Sequence, residues 1–352
     1  MKALQLYGHR DIRLDEVPMP KPMAGWSVVK VFQSSICHSD LREWQGPSYI
    51  GRTGKPNPIS GVYFPVILGH EFSGEVVEMN GTHPTIKVGD RVAPDGCIYD
   101  GTCYSCQFGR YNLCDNGGVL GFDAHGSHAQ YVAVPNYALY KIPDNLDNEQ
   151  GALIEPLSVA VHGIRQAKMR LGDSVTVVGA GMIGLCTAMT ARASGASHIF
   201  VSEVLEGRRE RARKMGFEVL DPADGDLGKQ VHDRTDGIGT DISLDCVGVE
   251  ASVNDALDAT RKAGRVVLVG ILSKNPTIHI NRINNDEVEL TGSLAYAHDF
   301  DAAIALAADG RVGLDNLITG RIALRDIIPD GFERFERDAN EHLRIIVDTQ
   351  AV

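Results

Sequence analysis

The sequence predicts an α/β protein in which a β-rich domain is interrupted by a doubly wound, mostly parallel sheet. Three observations carry this reading. The stretch Ser174-Val-Thr-Val-Val-Gly-Ala-Gly-Met-Ile-Gly184 runs β-favouring residues straight into three spaced glycines and then a small-residue helical segment. From residue 149 onward strand and helix patterns alternate, whereas the earlier chain reads as short strands and turns. The length, 352 residues, exceeds what a single hydrophobic core usually organises.

Taken in order, residues 1–35 alternate apolar and polar in short runs such as Trp26-Ser-Val-Val-Lys-Val-Phe, broken by Pro18, Pro20 and Pro22. A Gly/Pro-rich stretch, 46–65, is a surface excursion, and further strands are expected at 74–78, 91–93 and 129–134. The texture then changes to a helix over 149–168. Strands follow at 174–178, 198–202, 217–220, 241–246, 265–270 and 287–291, with helices near 206–215, 225–235, 251–262 and 299–309. Six strands is the doubly wound number. Short β-like segments after Gly292 can return to complete the first domain, giving 1–154 with 293–352 around an inserted 155–292.

The glycine pattern carries chemistry in its strand–turn–helix context. Gly179 permits the sharp turn, Gly181 leaves room for a pyrophosphate, and Gly184 lets the helix pack on the strand. The helix start at Met182 and Ile183 offers backbone amides to the phosphates. The second strand ends in Glu203, which can accept from both ribose hydroxyls and repel a 2′-phosphate, favouring NAD over NADP. Arg208 and Arg209 follow and could accommodate that phosphate. Val247, Gly270 and Ile271 are further cofactor-binding candidates, and at the strand ends around Gly270, Ile271 and Gly292 backbone groups could hold the nicotinamide carboxamide.

A formal charge of −12 argues against non-specific nucleic-acid binding. No apolar run is long enough to span a bilayer, and the first residues lack a secretory pattern. Seven cysteines, three within 103–114, suggest reduced thiols and metal ligation in a cytoplasmic protein. Cys37-His-Ser-Asp40, Gly69-His-Glu71 and Glu155 supply the thiolate, imidazole and carboxylate of a catalytic zinc site with one open position. Cys37 and His70 are read as fixed ligands, with Glu71 or Glu155 as the third and the other nearby or exchanging with water.

Those motifs, with Gly69-His-Glu-Phe-Ser-Gly-Glu-Val-Val-Glu, Val88-Gly-Asp-Arg-Val, Gly109-Arg-Tyr-Asn-Leu-Cys114 and Glu155-Pro-Leu-Ser-Val-Ala-Val-His162, resemble the zinc-dependent medium-chain dehydrogenase/reductase superfamily. Within it the chain is most similar to the 2,3-butanediol, sorbitol and threonine dehydrogenases, and the long 46–65 loop resembles the butanediol enzymes in particular. The resemblance implies a GroES-like catalytic domain interrupted by a Rossmann domain, and hydride transfer between NAD and a small secondary alcohol, vicinal diol or polyol. Sugar-alcohol or L-threonine oxidation is the alternative activity. A zinc-free quinone reductase and a non-catalytic NAD-binding protein are the rival classes; the presence of Cys37, His70 and Glu155 counts against the first, and an intact catalytic set against the second.

The resemblance also implies a proton relay at Ser39, with Arg42 standing where butanediol dehydrogenases tend to have a histidine, and Glu155 as a second proton shuttle. Tyr49, Ile50, Phe64, Leu294 and Tyr296 are candidate pocket residues or ordinary core. The family's structural zinc lobe has the spacing C-x2-C-x2-C-x7-C; here Cys103, Cys106 and Cys114 hold the last three positions and Asp100 the first, with Cys97 three residues earlier. Asp100 as ligand, Cys97 in its place, and no second metal all remain open. A homo-dimer or homo-tetramer is implied, through an edge strand near 286–290.

Overall fold

A computed structural model describes residues 1–46, 49–50, 54–338 and 340–352. Part of the expected 46–65 excursion, residues 47, 48 and 51–53, lies outside the described residues. Two compact units result, Met1–Glu155 with Leu317–Val352, and Pro156–Asn316.

The first unit is built on a mixed sheet whose central strand, Trp26–Ser35, is buried along most of its length. Its neighbours are Glu71–Asn80 on one side and Arg344–Asp348 on the other, while Tyr131–Pro135 also pairs with it. Alternating β-branched and aromatic residues make this possible: Val29, Val31, Phe72, Val76, Val92, Val132 and Val134 fill one apolar cluster. Ile36, Leu41, Trp44, Phe332, Phe335 and Ile345 join a second. Register matters most for function. Ser35 pairs with Glu71 and Ile346 with Ser35, so the end of one strand, the start of the next and the start of the C-terminal strand meet at one edge. The chain then turns at Cys37 into a helix, His38–Gln45.

The second unit is a six-stranded parallel sheet in the order Glu218–Leu220, His198–Ser202, Ser174–Val178, Thr240–Asp245, Thr260–Leu268, Glu289–Gly292. Numbered along the chain this is 3-2-1-4-5-6, the doubly wound order. The helix expected over 149–168 is two helices, Asn148–Ala152 and Ile154–Gln166. Asp147 caps the first in a reciprocal box with Gln150, and Pro156 sits in the first turn of the second, where its missing N–H costs nothing. Helix Glu250–Ala259 stops before the expected 262, because the Thr260 hydroxyl bonds back to Ala256 and strand Thr260–Leu268 begins at once.

Residues 293–316 group with the second unit, whereas the sequence placed the return at 293. The physical reason is Asp299, whose buried carboxylate accepts from His162 Nδ1 (2.8 Å), Arg165 and the Ala297 amide (2.8 Å). Tyr296 and Phe300, ring to ring, are buried beside it. That anchors helix Phe300–Ala308 to helix Ile154–Gln166. Among the described residues no helix is long and apolar enough to cross a membrane.

Candidate active site and metal centres

Cys37, His70 and Glu71 present one sulfur, one ring nitrogen and one carboxylate oxygen, all within 4.8 Å of one another. They come from the sheet edge described above: Cys37 is the N-cap of helix His38–Gln45, His70 precedes strand Glu71–Asn80, and Glu71 opens it. The donor set fits zinc. Burial pulls the His70 pKa down, but the charges of Asp40 and Cys37 outweigh it and hold the group well above the ordinary imidazole value. Surroundings that attract a proton so strongly attract a divalent cation for the same reason. Cys37 and Ser39 remain half-exposed, so the cluster has an open side. Ser39 Oγ lies 3.3 Å from His70 Nε2.

Of the two candidates for third ligand, Glu71 is in the cluster and Glu155 is not, among the described residues. Glu155 is buried in the first turn of helix Ile154–Gln166. Glu71 already has partners of its own. Arg344 Nη2 donates to its Oε1 at 2.6 Å, and the Ser35 hydroxyl donates to Oε2. The same Arg344 nitrogen lies 3.6 Å from Cys37 Sγ. Glu71 is therefore a carboxylate shared between a guanidinium and the cluster.

Behind His70 sits Asp40, fully buried. Burial raises a carboxyl pKa, yet the His70 and His128 imidazoles overcome that and hold Asp40 below its ordinary value. Phe122 packs its ring on His70 (5.2 Å), and Tyr49 packs on Phe122 (5.9 Å). Sequence reasoning quoted Asp40 within a motif without giving it a role, and missed Phe122, His128 and Arg344. Nothing local could have found Arg344, which is 273 residues from its partner Glu71. Of the pocket candidates, Ile50 and Tyr296 are core residues, Phe64 packs against the core, and Tyr49 and Leu294 are exposed.

The second cluster joins Asp100, Cys103, Cys106 and Cys114, again with all four donor atoms within 4.8 Å. Cys97 is not among them; it is buried in the short strand Cys97–Ile98. The Asp100 carboxylate accepts from the Thr102 amide (2.8 Å) and the Asn116 amide group (2.7 Å), which hold it below the ordinary carboxyl range. The Cys106 amide lowers the Cys103 thiol, whereas burial pushes Cys106 up to about 12. Three thiols so arranged, without a disulfide, fit a tetrahedral zinc completed by an oxygen.

In the second unit Gly179 has φ +97°, a conformation that favours glycine, and a Cβ at Gly184 would stand 1.8 Å from the Gly179 carbonyl oxygen. A side chain at Gly181 would meet only Arg208 Nη1, at 3.7 Å, so the space over it is kept open. Helix Met182–Ala193 points its first amides at this turn. The Met182 side chain is buried and Ile183 half-buried, so Met182 offers a ligand its amide alone. Glu203 accepts from the Ala180 amide (2.9 Å) and the Leu205 amide (3.0 Å), which fixes its carboxylate beside the turn. Arg209 is committed elsewhere: it pairs with Glu206 and Asp221 and donates to the carbonyls of Glu203 and Val204. Arg208 Nη1 faces the turn, 3.7 Å from where a Cβ on Gly181 would stand. Val247 packs toward Gly179, Gly270 is pressed on Gly248, and the Ile271 side chain is exposed at the strand ends. A cavity of about 370 Å³ between Met189, Arg192, Arg211, Lys214 and Gly313 lies instead at the C-terminal ends of helices, where its cations complement the helix dipoles.

Fold and donor sets define a zinc-binding oxidoreductase with a dinucleotide unit. Residues 23–144 match the alcohol dehydrogenase GroES-like domain and residues 183–309 the zinc-binding dehydrogenase domain. The chain belongs to the zinc-dependent alcohol dehydrogenases of the medium-chain dehydrogenase/reductase superfamily, in the group of the butanediol, sorbitol and threonine dehydrogenases. It is 35% identical to the (R,R)-butanediol dehydrogenase of Bacillus subtilis over 99% of both chains. The sorbitol dehydrogenase of the same organism is 32% identical over 99% of this chain and 97% of the relative. The L-threonine 3-dehydrogenase of Pyrococcus horikoshii is 34% identical over 95% and 93%. The crystal structure of 2R,3R-butanediol dehydrogenase from Bacillus subtilis superposes with a TM-score of 0.91, at 35% identity over 99% of each chain. An Escherichia coli alcohol dehydrogenase complexed with NADH (TM-score 0.89, 25% identity, 99% of each chain) shares the fold. So does a Sinorhizobium meliloti dehydrogenase bound to NADP (TM-score 0.85, 29% identity, 99% and 98%).

Proposed function

We propose that the chain is an NAD-dependent dehydrogenase of small secondary alcohols carrying a neighbouring hydroxyl, with 2,3-butanediol and acetoin as the substrate pair. The observation that carries the catalytic reading is the convergence of Cys37, His70 and Glu71 on one half-open point. When bound, zinc supplies the Lewis acidity that eases loss of a hydroxyl proton, and NAD supplies the hydride acceptor. Cys37 and His70 hold the metal. Glu71 is the third donor, and Arg344 limits how far it can move toward the cluster. Ser39 takes the hydroxyl proton and passes it on, since one hydroxyl both accepts and donates. Glu155 serves as the second proton carrier. Phe122 gives the site an apolar wall against His70.

Glu203 supports NAD over NADP: its carboxylate is pinned by two backbone amides and meets a 2′-phosphate with like charge. At Asp100, Cys103, Cys106 and Cys114 a second zinc holds the loop rather than acting on substrate. The exposed edge strand Glu289–Gly292 supports pairing between copies into a dimer or tetramer; Asp286 precedes that strand and is held by Arg282 and Lys262. Likeness to butanediol dehydrogenases over nearly the whole chain supports the diol, and the threonine and sorbitol relatives supply the competing substrates. The test is NAD and NADP reduction with resolved 2,3-butanediol stereoisomers, sorbitol and L-threonine, with and without chelator. Chelator-sensitive NAD reduction highest with one butanediol stereoisomer is expected. Higher kcat/KM for threonine or sorbitol would replace the substrate, and chelator-insensitive turnover would remove the catalytic metal.

A further inference from the structure

We propose that His128 is a positioning residue for the catalytic metal site, acting on His70 through Asp40. The proposal rests on the reading that Cys37, His70 and Glu71 hold zinc. Asp40 is a fully buried carboxylate that accepts from the Cys37 amide at 3.0 Å and the Gly69 amide at 3.3 Å, and two imidazoles face it as charge partners, His70 Nδ1 at 3.5 Å and His128 Nε2 at 3.6 Å. The imidazoles divide the carboxylate between them, His70 on Oδ1 and His128 on Oδ2. On its far side His128 Nδ1 lies 3.0 Å from Ser34 Oγ, itself 2.8 Å from Ser127 Oγ.

Which ring nitrogens turn a proton toward Asp40 follows from one constraint. An ionised carboxylate only accepts. A proton on His128 Nε2 is the arrangement the carboxylate favours; on the far side of the ring Nδ1 is held against the Ser34 hydroxyl, which also donates to the Glu71 carbonyl at 3.3 Å. From the other side His70 carries its proton on Nδ1, leaving the Nε2 lone pair for the metal. His128 thus helps fix both the tautomer and the ring orientation of a metal ligand from two residues away. The backbone is built to hold it there. The amides of Gly126, Ser127 and His128 bond the carbonyls of Ile67 (2.7 Å), Gly69 (2.9 Å) and Leu68 (2.9 Å), lacing the segment to the residues just before His70. With His128 removed, a buried anion would lose one of the two imidazoles that face it, and the group best able to compensate by moving is His70.

The experiment is zinc release from the purified full-length protein to a chromogenic chelator, with Cys37→Ala identifying the phase that belongs to the catalytic cluster. His128→Phe fills the space beside Phe332 but donates nothing to Asp40. Outer partners of metal ligands typically change affinity by about 10–100-fold. His128→Phe should accelerate the Cys37-dependent phase by about that factor, leaving the phase of the Asp100–Cys114 loop unchanged. His128→Gln, which restores an N–H, should release within about threefold of wild type if the polar group facing Asp40, rather than ring packing, carries the effect. A wild-type release rate in His128→Phe, or a His128→Gln rate as fast as the Phe variant, overturns the role. Should His128→Phe fail to fold, Ser34→Ala removes the hydroxyl that holds the far side of the His128 ring without touching Asp40; it should accelerate the same phase, and an unchanged rate overturns the role equally. A wild-type protein lacking the Cys37-dependent phase altogether overturns the metal reading itself, and this role with it.

Discussion

The two donor clusters are built in opposite ways. Asp100, Cys103, Cys106 and Cys114 lie within fifteen residues of one another, half-exposed, on a loop organised by its own turns and by Asn116. Cys37, His70 and Glu71 come from separate elements at a sheet edge, and their surroundings reach to Arg344 and His128. A local cluster can be tightened or loosened by one side chain with little consequence elsewhere. A buried cluster made of distant segments is coupled to the core around it, so its substitutions read out in stability as well as in chemistry.

That contrast can be broken, and the largest expected effect lies at Cys37. Cys37→Ser should lower kcat/KM for the preferred alcohol by at least about a thousandfold, since Lewis-acid stabilisation amounts to several kcal/mol. NADH affinity by fluorescence titration should stay within about twofold, because the dinucleotide unit folds on its own sheet; a variant with wild-type turnover would sink the zinc mechanism. Next comes Arg344→Met, which strands the buried Glu71 carboxylate. Breaking a buried pair costs about 3–5 kcal/mol, to be measured as a lowered denaturation midpoint, and an unchanged midpoint would show that Glu71 finds its counter-charge in the metal alone.

At the loop, Asp100→Ala should release one zinc per chain on dialysis and speed proteolysis between residues 97 and 117, with kcat within about twofold. Asp100→Cys should retain that zinc longer than wild type, because a thiolate is the softer ligand. Loss of catalysis in step with loss of this zinc would erase the distinction between the clusters. The smallest effect belongs to the cofactor turn: Glu203→Gln should reduce the kcat/KM preference for NAD over NADP by about tenfold, or 1.4 kcal/mol. Retention of the full preference would move the selectivity to Arg208.

Much of the fold was legible in the chain because its signals are local. The glycine spacing at Gly179, Gly181 and Gly184, the strand–helix alternation and the Cys103–Cys114 spacing each act over a few residues, and each element appears where expected within a few positions. The third ligand was left between Glu71 and Glu155 because spacing cannot say which carboxylate a sheet edge brings to Cys37. Spacing puts Asp100 first and leaves Cys97 as the lesser alternative; burial in a strand removes it. Arg209 looked as available as Arg208 until Glu206 and Asp221 took it.

The sequence by itself determined the α/β class, the nucleotide turn and the kinds of metal ligand, since periodicity, glycine placement and donor chemistry are properties of short stretches. Tertiary structure alone decided that residues 293–316 stay with the second unit, that Arg344 holds Glu71, and that Asp40 lies between two imidazoles. Each of these depends on strand register and on which charges share a desolvated interior, and both arise only when segments far apart in the chain are packed against one another.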